Sequence, residues 1–207
     1  MSVQEAYDQW SSTYDSDANL TRDLDRTVTR ETLGHLRFRS ILELGCGTSK
    51  NTVFLSEIGE RVTAVDFSAR MLRQSKEKVK SNHVAFCLAD LSRPLPFEAG
   101  SADLITCNLV LEHIENLSPV FSEGSRALVE RGFLFVNELH PFRQYEGKKA
   151  KFQRDGMQVE ISAFVHHISD FIEAAADNGL ALVELRERWH LQDSGRAPRL
   201  ISLLFSK

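Results

Sequence analysis

The chain has no hydrophobic run long enough to span a membrane and no excess of positive charge. Its 207 residues carry 25 Lys and Arg against 29 Asp and Glu, a formal net charge of −4 with neutral histidines. A transmembrane helix needs about 20 predominantly apolar residues, and the opening MSVQEAYDQW lacks the basic and apolar regions of a secretory signal. We therefore expect a cytoplasmic protein that acts on a small molecule, with neither nucleic acid nor a membrane as partner.

Cysteine is scarce, and its spacing excludes the usual cysteine chemistry. Cys46, Cys87 and Cys107 form no CxxC pair and lie in apolar stretches, which is typical of buried, reduced thiols. Metal ligands at useful spacing are also missing. His166 and His167 would point to opposite sides of an extended chain, and no third ligand is near in sequence. We predict no metal site.

Short apolar runs, alternating with amphipathic segments, are present from residue 40 onward. Five runs of strand length are rich in β-branched and aromatic residues: SILEL, RVTAVD, VAFCLAD, ADLITCN and GFLFVNEL. Two more, ALVELRERW and RLISLLF, end the chain. Strands that alternate with helices build right-handed βαβ units around a parallel sheet. The sequence thus predicts a doubly wound α/β fold, which we assign to one domain over residues 1–207.

Two segments stand apart from this alternation. Residues 1–38 predict an N-terminal helical cap that opens with a capping box, SVQE. Within it, Tyr7, Trp10 and Tyr14 would share one face if the helix continues that far, either as a core stripe or as the rim of a binding site. Residues 140–167 predict an inserted hairpin with its turn at Asp155-Gly156. A helix should follow, with Ser169 as N-cap and a stop at Gly179.

A glycine-rich turn follows the first predicted strand, in ILELGCGTSKNT. Gly45 and Gly47 would allow the backbone to approach a ligand closely, but Lys50 stands where a dinucleotide-binding loop needs its third glycine, and the GKS or GKT of a P-loop is absent. Glu43 precedes the turn and would repel a phosphate. Asp66 ends the second strand, 19 residues after Gly47, at the position that binds ribose hydroxyls in related folds. A ribose beside a positive charge, without pyrophosphate, describes S-adenosylmethionine.

Four ordered motifs, ELGCGT, AVDFSARML, CLADLSRPLPFEAGSADLI and NLVLEHI, resemble those of class I S-adenosylmethionine-dependent methyltransferases of the small-molecule branch. YDQWSSTYD is similar to the segment that many of these enzymes fold over the cofactor. The resemblance implies a mainly parallel, Rossmann-like seven-stranded sheet with an antiparallel C-terminal strand. It also implies a set of cofactor-binding residues: Tyr14, Glu43, Gly45, Gly47, Asp66, Phe67, Met71, Asp90, Leu91, Asn108 and Leu109.

The sequence says less about the methyl acceptor. A base is needed only for an acceptor that must lose a proton. The candidates are His140 at the end of the fifth strand, His113, for which a structural role is equally open, and His167. The insertion at residues 140–167 is the expected substrate lid, although a solvated charged hairpin is an alternative. Candidate substrate contacts are aromatic and histidine side chains, namely Trp10, Phe142, Tyr145 and His166.

We therefore predict methyl transfer from S-adenosylmethionine to a small molecule by in-line displacement. Three alternatives stay open: a non-catalytic S-adenosylmethionine-binding module or partner subunit, a protein methyltransferase, and, more distantly, a dehydrogenase. Nucleic-acid methylation is disfavoured because NLVL replaces an NPPY-type tetrad after the fourth strand and there is no Pro-Cys nucleophile.

Overall fold

A seven-stranded sheet forms the centre of the fold in the computed structural model, which describes all 207 residues. The strands of the chain are β1 Phe38–Leu44, β2 Gly59–Asp66, β3 Val84–Leu88, β4 Ala102–Asn108, β5 Leu128–Leu139, β6 Lys151–Arg154, β7 Met157–Glu160, β8 Ala181–Arg188 and β9 Leu200–Ser206. Their order across the sheet is β3-β2-β1-β4-β5-β9-β8, and β6 and β7 form a separate hairpin. Within the seven-stranded sheet, β9 is the one reversed strand and pairs antiparallel with both β5 and β8. This confirms the predicted sheet.

Seven α-helices surround the strands: α1 Val3–Trp10, α2 Leu20–Leu33, α3 Thr52–Ile58, α4 Ala69–Lys78, α5 Ser118–Ala127, α6 Pro141–Tyr145 and α7 Ile168–Ala176. Alternate residues of each central strand enter different apolar clusters. Leu134 and Val136 of β5 pack with α5 and α7, whereas Phe135 packs with α2 and α3. This period of two places one helical layer on each face of the sheet. None of the helices has the length and apolar content needed to cross a bilayer.

The predicted helix signals are confirmed at the start of α1 but not at the start of α7. Ser2 and Glu5 form the capping box, with each side chain accepting from the other's backbone N–H. The helix α7, in contrast, begins at Ile168 with His167 at its N-cap, so the Ser169 prediction is wrong. Asp170, rather than a serine, satisfies the free N–H of His167 at 2.7 Å.

The C-terminal stop of α7 is confirmed. Gly179 has φ +73°, and the next N–H, from Leu180, donates back to Ala175 O at 3.0 Å. This is the pattern of a Schellman ending, which favours glycine because a side chain strains the left-handed conformation.

The N-terminal segment and the insertion pack on each other. α1 ends at Trp10, so Tyr14 lies in the turn after the helix, not on the same helical face. The rings still meet, with 4.7 Å between the centroids of Trp10 and Tyr14. Trp10 also stacks on Phe152 of β6 at 5.4 Å. The hairpin turn is at Asp155-Gly156, as predicted, and both residues have positive φ. Apolar contact thus joins the hairpin to α1 above the carboxyl ends of the parallel strands.

Candidate functional site

The glycine turn after β1 is held by a neighbouring loop and by β2. Gly45 has φ +73°, and a Cβ at this position would lie 2.0 Å from Val110 Cγ2. Gly47 also has positive φ, but the space beside it is open. Its N–H donates to Asp66 Oδ2 at 2.8 Å, while Asp66 Oδ1 accepts from Ser68 N–H at 2.9 Å. Asp66 therefore fixes the glycine turn and the start of α4 together.

The loop after β4 is held by a buried carboxyl group that the sequence analysis missed. Glu138, near the end of β5, accepts from the N–H groups of Val110 and Leu111, both at 2.9 Å. These bonds stabilise Leu109 at φ +55°, a conformation that is rare for a side chain of this kind. Burial raises the pKa of Glu138 to about 8. The arrangement presses Val110 against Gly45, so the two loops share one wall.

A second missed carboxyl group joins α2 to the sheet. Asp25 accepts hydrogen bonds from three amide side chains, Asn51 at 2.8 Å and Asn108 and Asn137 at 2.6 Å each. Asn108 and Asn137 are partners in the register of β4 and β5, which explains why one acid reaches both. Burial raises the pKa of Asp25, and the amide hydrogen bonds oppose that shift. The only sequence signal was an acid beside the apolar stripe of α2.

The glycine turn, Asp25, Asp66 and the loop after β4 line a cavity of about 620 Å³, here called the acidic cavity. Three of its wall residues are buried carboxyl groups, Asp25, Glu43 and Asp66. Burial raises the pKa of Glu43 to about 8 and that of Asp66 to about 6. Lys50 also lines the cavity, but its Nζ pairs with Asp23 at 2.7 Å. A ligand with positive charge would relieve the cost of ionising these buried carboxyl groups.

Ten of the eleven predicted cofactor-binding residues line the acidic cavity: Tyr14, Glu43, Gly45, Gly47, Asp66, Phe67, Asp90, Leu91, Asn108 and Leu109. Met71 is the exception and corrects the expectation. It lies on the inner face of α4, fully buried, and only its backbone N–H is engaged locally, by Ser68 Oγ at 3.1 Å. The side chain is part of the core because the third residue of α4 faces the sheet.

Of the predicted histidines, His113 is the one on the wall of the acidic cavity. Its Nδ1 lies 2.9 Å from Ser162 O, and its Nε2 lies 2.8 Å from Tyr7 Oη. A carbonyl oxygen can only accept, so Nδ1 carries the hydrogen and Nε2 accepts from the tyrosine hydroxyl. Burial lowers the pKa of His113, and the ring is therefore neutral at pH 7.

The other three histidines do not line this cavity, which corrects their expected contact with an acceptor. His140 caps α6, with Nδ1 accepting from the Phe142 N–H, and its Nε2 lies 3.1 Å from Glu187 Oε1. His166 is buried, and its Nε2 donates to the carbonyl oxygen of Ile114 at 2.8 Å. His167 is exposed at the start of α7. The ring of His167 pairs through Nδ1 with Tyr145 Oη.

A second cavity of about 320 Å³ adjoins the first and is here called the basic cavity. Trp10, a predicted substrate contact, lines it. Phe142 and Tyr145 do not, since more than half of each side chain is exposed on the outer surface of α6. With His166, they are the predicted substrate contacts that line neither cavity. Four residues line both cavities: Tyr7, Tyr14, Arg22 and Leu109.

The known proteins that this chain resembles in sequence are methyltransferases. Residues 42–136 match a family model described as a methyltransferase domain. The malonyl-[acyl-carrier protein] O-methyltransferase of Methylovorus sp. is 30% identical over 87% of this chain and 64% of its own length. The demethylmenaquinone methyltransferase of Lactococcus lactis is 35% identical over 67% of this chain and 59% of its own length. The chain thus spans less than two thirds of either relative.

Solved structures share the fold over almost the whole chain. An S-adenosylmethionine-dependent methyltransferase from Mesorhizobium loti superposes with a TM-score of 0.73 at 18% identity, covering 87% of this chain and 96% of that one. The N-methyltransferase NodS from Bradyrhizobium japonicum, in complex with S-adenosylhomocysteine, has a TM-score of 0.75 at 16% identity, covering 100% and 99%. Residues 42–136 thus match a methyltransferase domain, and the whole chain has the fold of solved S-adenosylmethionine-dependent methyltransferases.

Proposed function

We propose that this protein transfers a methyl group from S-adenosylmethionine to a small-molecule acceptor. The observation that carries the proposal is the acidic cavity, where Asp25, Glu43 and Asp66 are buried beside the glycine turn. A sulfonium nucleoside with an amino-acid tail brings positive charge to these carboxyl groups. A phosphate would meet repulsion from the same groups. The residues present therefore fit S-adenosylmethionine and disfavour a nucleotide.

The lining residues divide by the part of the cofactor that they suit. Gly45 and Gly47 leave room for the methionyl end of the cofactor, and the carboxylate of Glu43 provides a negative charge beside it. Asp66 accepts from the ribose hydroxyls while it keeps its bonds to the glycine turn. The remaining positions follow the family motifs: Phe67, Asp90 and Leu91 for the adenine, Asn108 and Leu109 beneath the methionine, and Tyr14 over the site.

Bound S-adenosylmethionine supplies an activated methyl group. Transfer would join the methyl carbon to the acceptor's lone pair and leave the electron pair of the broken C–S bond on sulfur. Because the donor is already reactive, the protein's main tasks are to align the acceptor and to exclude water. For an acceptor that must lose a proton, the acidic cavity wall offers the neutral His113 and Tyr7, which are joined by a hydrogen bond.

The test has a binding stage and a turnover stage. Calorimetry with S-adenosylmethionine, S-adenosylhomocysteine and NAD should show binding of the first two; tighter binding of NAD would favour a dehydrogenase and contradict the proposal. Methyl-labelled cofactor is then incubated with the small-molecule fraction of a cell extract. We expect S-adenosylhomocysteine and a labelled product. Binding without turnover on any fraction would instead support a non-catalytic S-adenosylmethionine-binding module.

The His140→Ala variant is a useful control in both stages. Its side chain lies outside both cavities, where it caps α6 and contacts Glu187. We therefore expect it to bind S-adenosylmethionine as the unmodified chain does. Loss of binding in a folded His140→Ala protein would mean that the carboxyl end of β5 is closer to the cofactor than the two cavities indicate.

A further inference from the structure

The basic cavity has a charge opposite to that of its neighbour. Seven of its lining residues are cations, and one, Glu112, is an acid. The cations are Arg22, Arg143, Lys148, Lys149, Lys151, Arg196 and Arg199. Positive charge collected in a concave site on a protein with net charge −4 is a local feature, because the chain as a whole would not produce it.

Only part of this charge is neutralised within the protein. Arg143 and Arg199 share the buried carboxylate of Asp193, at 2.9 and 2.6 Å. The other lining cations form no ion pair: Arg22, Lys148, Lys149, Lys151 and Arg196. Their charge is available to a ligand.

Arg22 is a buried cation on the wall that the two cavities share. Its side chain belongs to a residue that is only 6% exposed, and its two terminal nitrogens donate to the carbonyl oxygens of Tyr14 and Asp17. Its Nε has no hydrogen-bond partner. Because no carboxylate pairs with Arg22, an anion bound nearby would offset part of the cost of burying its charge.

The acid in this cavity does little to offset the cations. Glu112 is buried, its Oε2 has no hydrogen-bond partner, and burial raises its pKa to about 7. A carboxyl group with this pKa is about half neutral at pH 7 and can then donate a hydrogen bond. The positive field of the cavity therefore remains.

Aromatic and aliphatic walls accompany the charge. Tyr7, Trp10 and Tyr14 line the side nearest the acidic cavity, and the Arg22 guanidinium lies 4.0 Å from the centroid of Tyr14. Tyr7 and Tyr14 also line the acidic cavity, so a molecule that packs against this pair of rings would lie close to both spaces. Such walls suit an apolar, flat body, while the cations suit an anionic group at its far end.

We propose that the basic cavity is the acceptor subsite and that the methyl acceptor is a small organic anion, with an apolar body that carries a carboxylate or a phosphate. The proposal rests on the methyl-transfer function proposed above. It assigns opposite charges to the two bound molecules: the cationic cofactor lies among carboxyl groups, and the anionic acceptor lies among lysines and arginines.

The first experiment uses fragments on the full chain saturated with S-adenosylhomocysteine. Benzoate, phenyl phosphate and the neutral benzamide are titrated separately by calorimetry or ligand-observed NMR. At least one anion should bind about tenfold more tightly than benzamide, the ratio expected for one charge-assisted hydrogen bond. The stronger of the two anions identifies the preferred group. Equal binding of benzamide, or no binding of any fragment, would overturn the proposal.

Two matched variants show whether the effect is local. The triple variant Lys148→Gln, Lys149→Gln, Lys151→Gln removes three cations from the cavity wall, and anion affinity should fall about tenfold. A control, Arg70→Gln, Arg73→Gln, Lys76→Gln, removes the same charge from the exposed side of α4, away from both cavities. The control should keep anion affinity within a factor of about two, as expected for a screened, distant charge.

Equal weakening in both variants would mean only a general charge effect and would also overturn the proposal. S-adenosylhomocysteine binding is measured separately in every variant. If the unmodified chain does not bind S-adenosylhomocysteine, the methyl-transfer function is contradicted. If it binds S-adenosylhomocysteine but shows no preference for anions, only the acceptor assignment is contradicted. The two failures are therefore distinguishable.

Discussion

The acidic and basic cavities meet at the same four residues, but the protein holds their charges in different ways. In the acidic cavity the charged groups are buried and hydrogen-bonded within the protein. Asp25 accepts hydrogen bonds from three amide side chains, and Asp66 accepts hydrogen bonds from two backbone N–H groups. In the basic cavity, Lys148 and Lys149 are exposed and form no ion pair. We therefore expect the buried acids to serve both stability and binding, and the exposed lysines to serve binding alone. The following substitutions test that difference.

Gly45→Ala should have the largest effect, because the new methyl group would lie 2.0 Å from Val110 Cγ2 and φ is +73°. Left-handed strain and overpacking together should lower the free energy of unfolding by about 2–5 kcal/mol. Urea denaturation measures it. Gly47→Ala is the matched control, since its φ is also positive but its Cβ would meet no atom within 4 Å. Equal losses in both variants would show that backbone strain, and not contact with Val110, dominates.

Asp25→Asn should lower the free energy of unfolding by about 2–3 kcal/mol, because an amide nitrogen would replace an oxygen that accepts from the asparagine side chains. Chemical denaturation compares it with Asp23→Asn, on the same helix. Asp23 is half-exposed in its pair with Lys50, and loss of such a pair should cost less than about 1 kcal/mol. A similar, small effect in both variants would mean that Asp25 is not part of the scaffold.

Asp66→Ala should weaken S-adenosylmethionine binding by about 1.5–3 kcal/mol, through the loss of a charged acceptor at the end of β2. Calorimetry gives the affinity. Unchanged affinity would refute the ribose role proposed for Asp66. Met71→Leu, within the core beneath α4, is a control that should leave affinity unchanged, since its side chain does not line the cavity.

The affinity for S-adenosylmethionine should increase with pH. Glu43 and Asp66 have pKa values raised by burial to about 8 and about 6, so both are largely protonated below pH 6. The sulfonium charge is permanent and favours the ionised carboxylates. Affinity relative to S-adenosylhomocysteine, which lacks that charge, should therefore rise about tenfold from pH 6 to 8, equivalent to one unit of pKa change on binding. A constant ratio over this range would argue against a sulfonium near either acid.

The smallest effect on stability should come from the basic cavity. Replacing Lys148, Lys149 and Lys151 by Gln should change the free energy of unfolding by less than about 0.5 kcal/mol per site, as is usual for exposed side chains. Thermal or urea denaturation tests this in the same preparations used for fragment binding. A large loss of stability would make the comparison of the two cavities invalid, because the lysines would then be part of the scaffold.

The sequence predicted the sheet and the glycine turn because their signals are local. Strand periodicity, the Gly45 and Gly47 pair and the acid at Asp66 lie within about one βα unit of each other, and their chemistry follows from that spacing. The hairpin turn at Asp155-Gly156 is equally local. The prediction that His140 follows β5 was correct, but the strand pattern could not predict the direction of its ring. The ring is buried because residue 140 is the N-cap of α6.

The buried acids show what only the tertiary structure could decide. Asp25 lies 83 residues from Asn108 and 112 from Asn137, and nothing near Asp25 in the chain predicts either partner. Likewise, Glu138 holds the loop after β4 from 28 residues away. The sequence by itself determined the fold class and predicted S-adenosylmethionine as the ligand of the glycine turn. The structure decided which acids are buried together and where the cations collect, because burial and charge depend on which distant segments pack side by side.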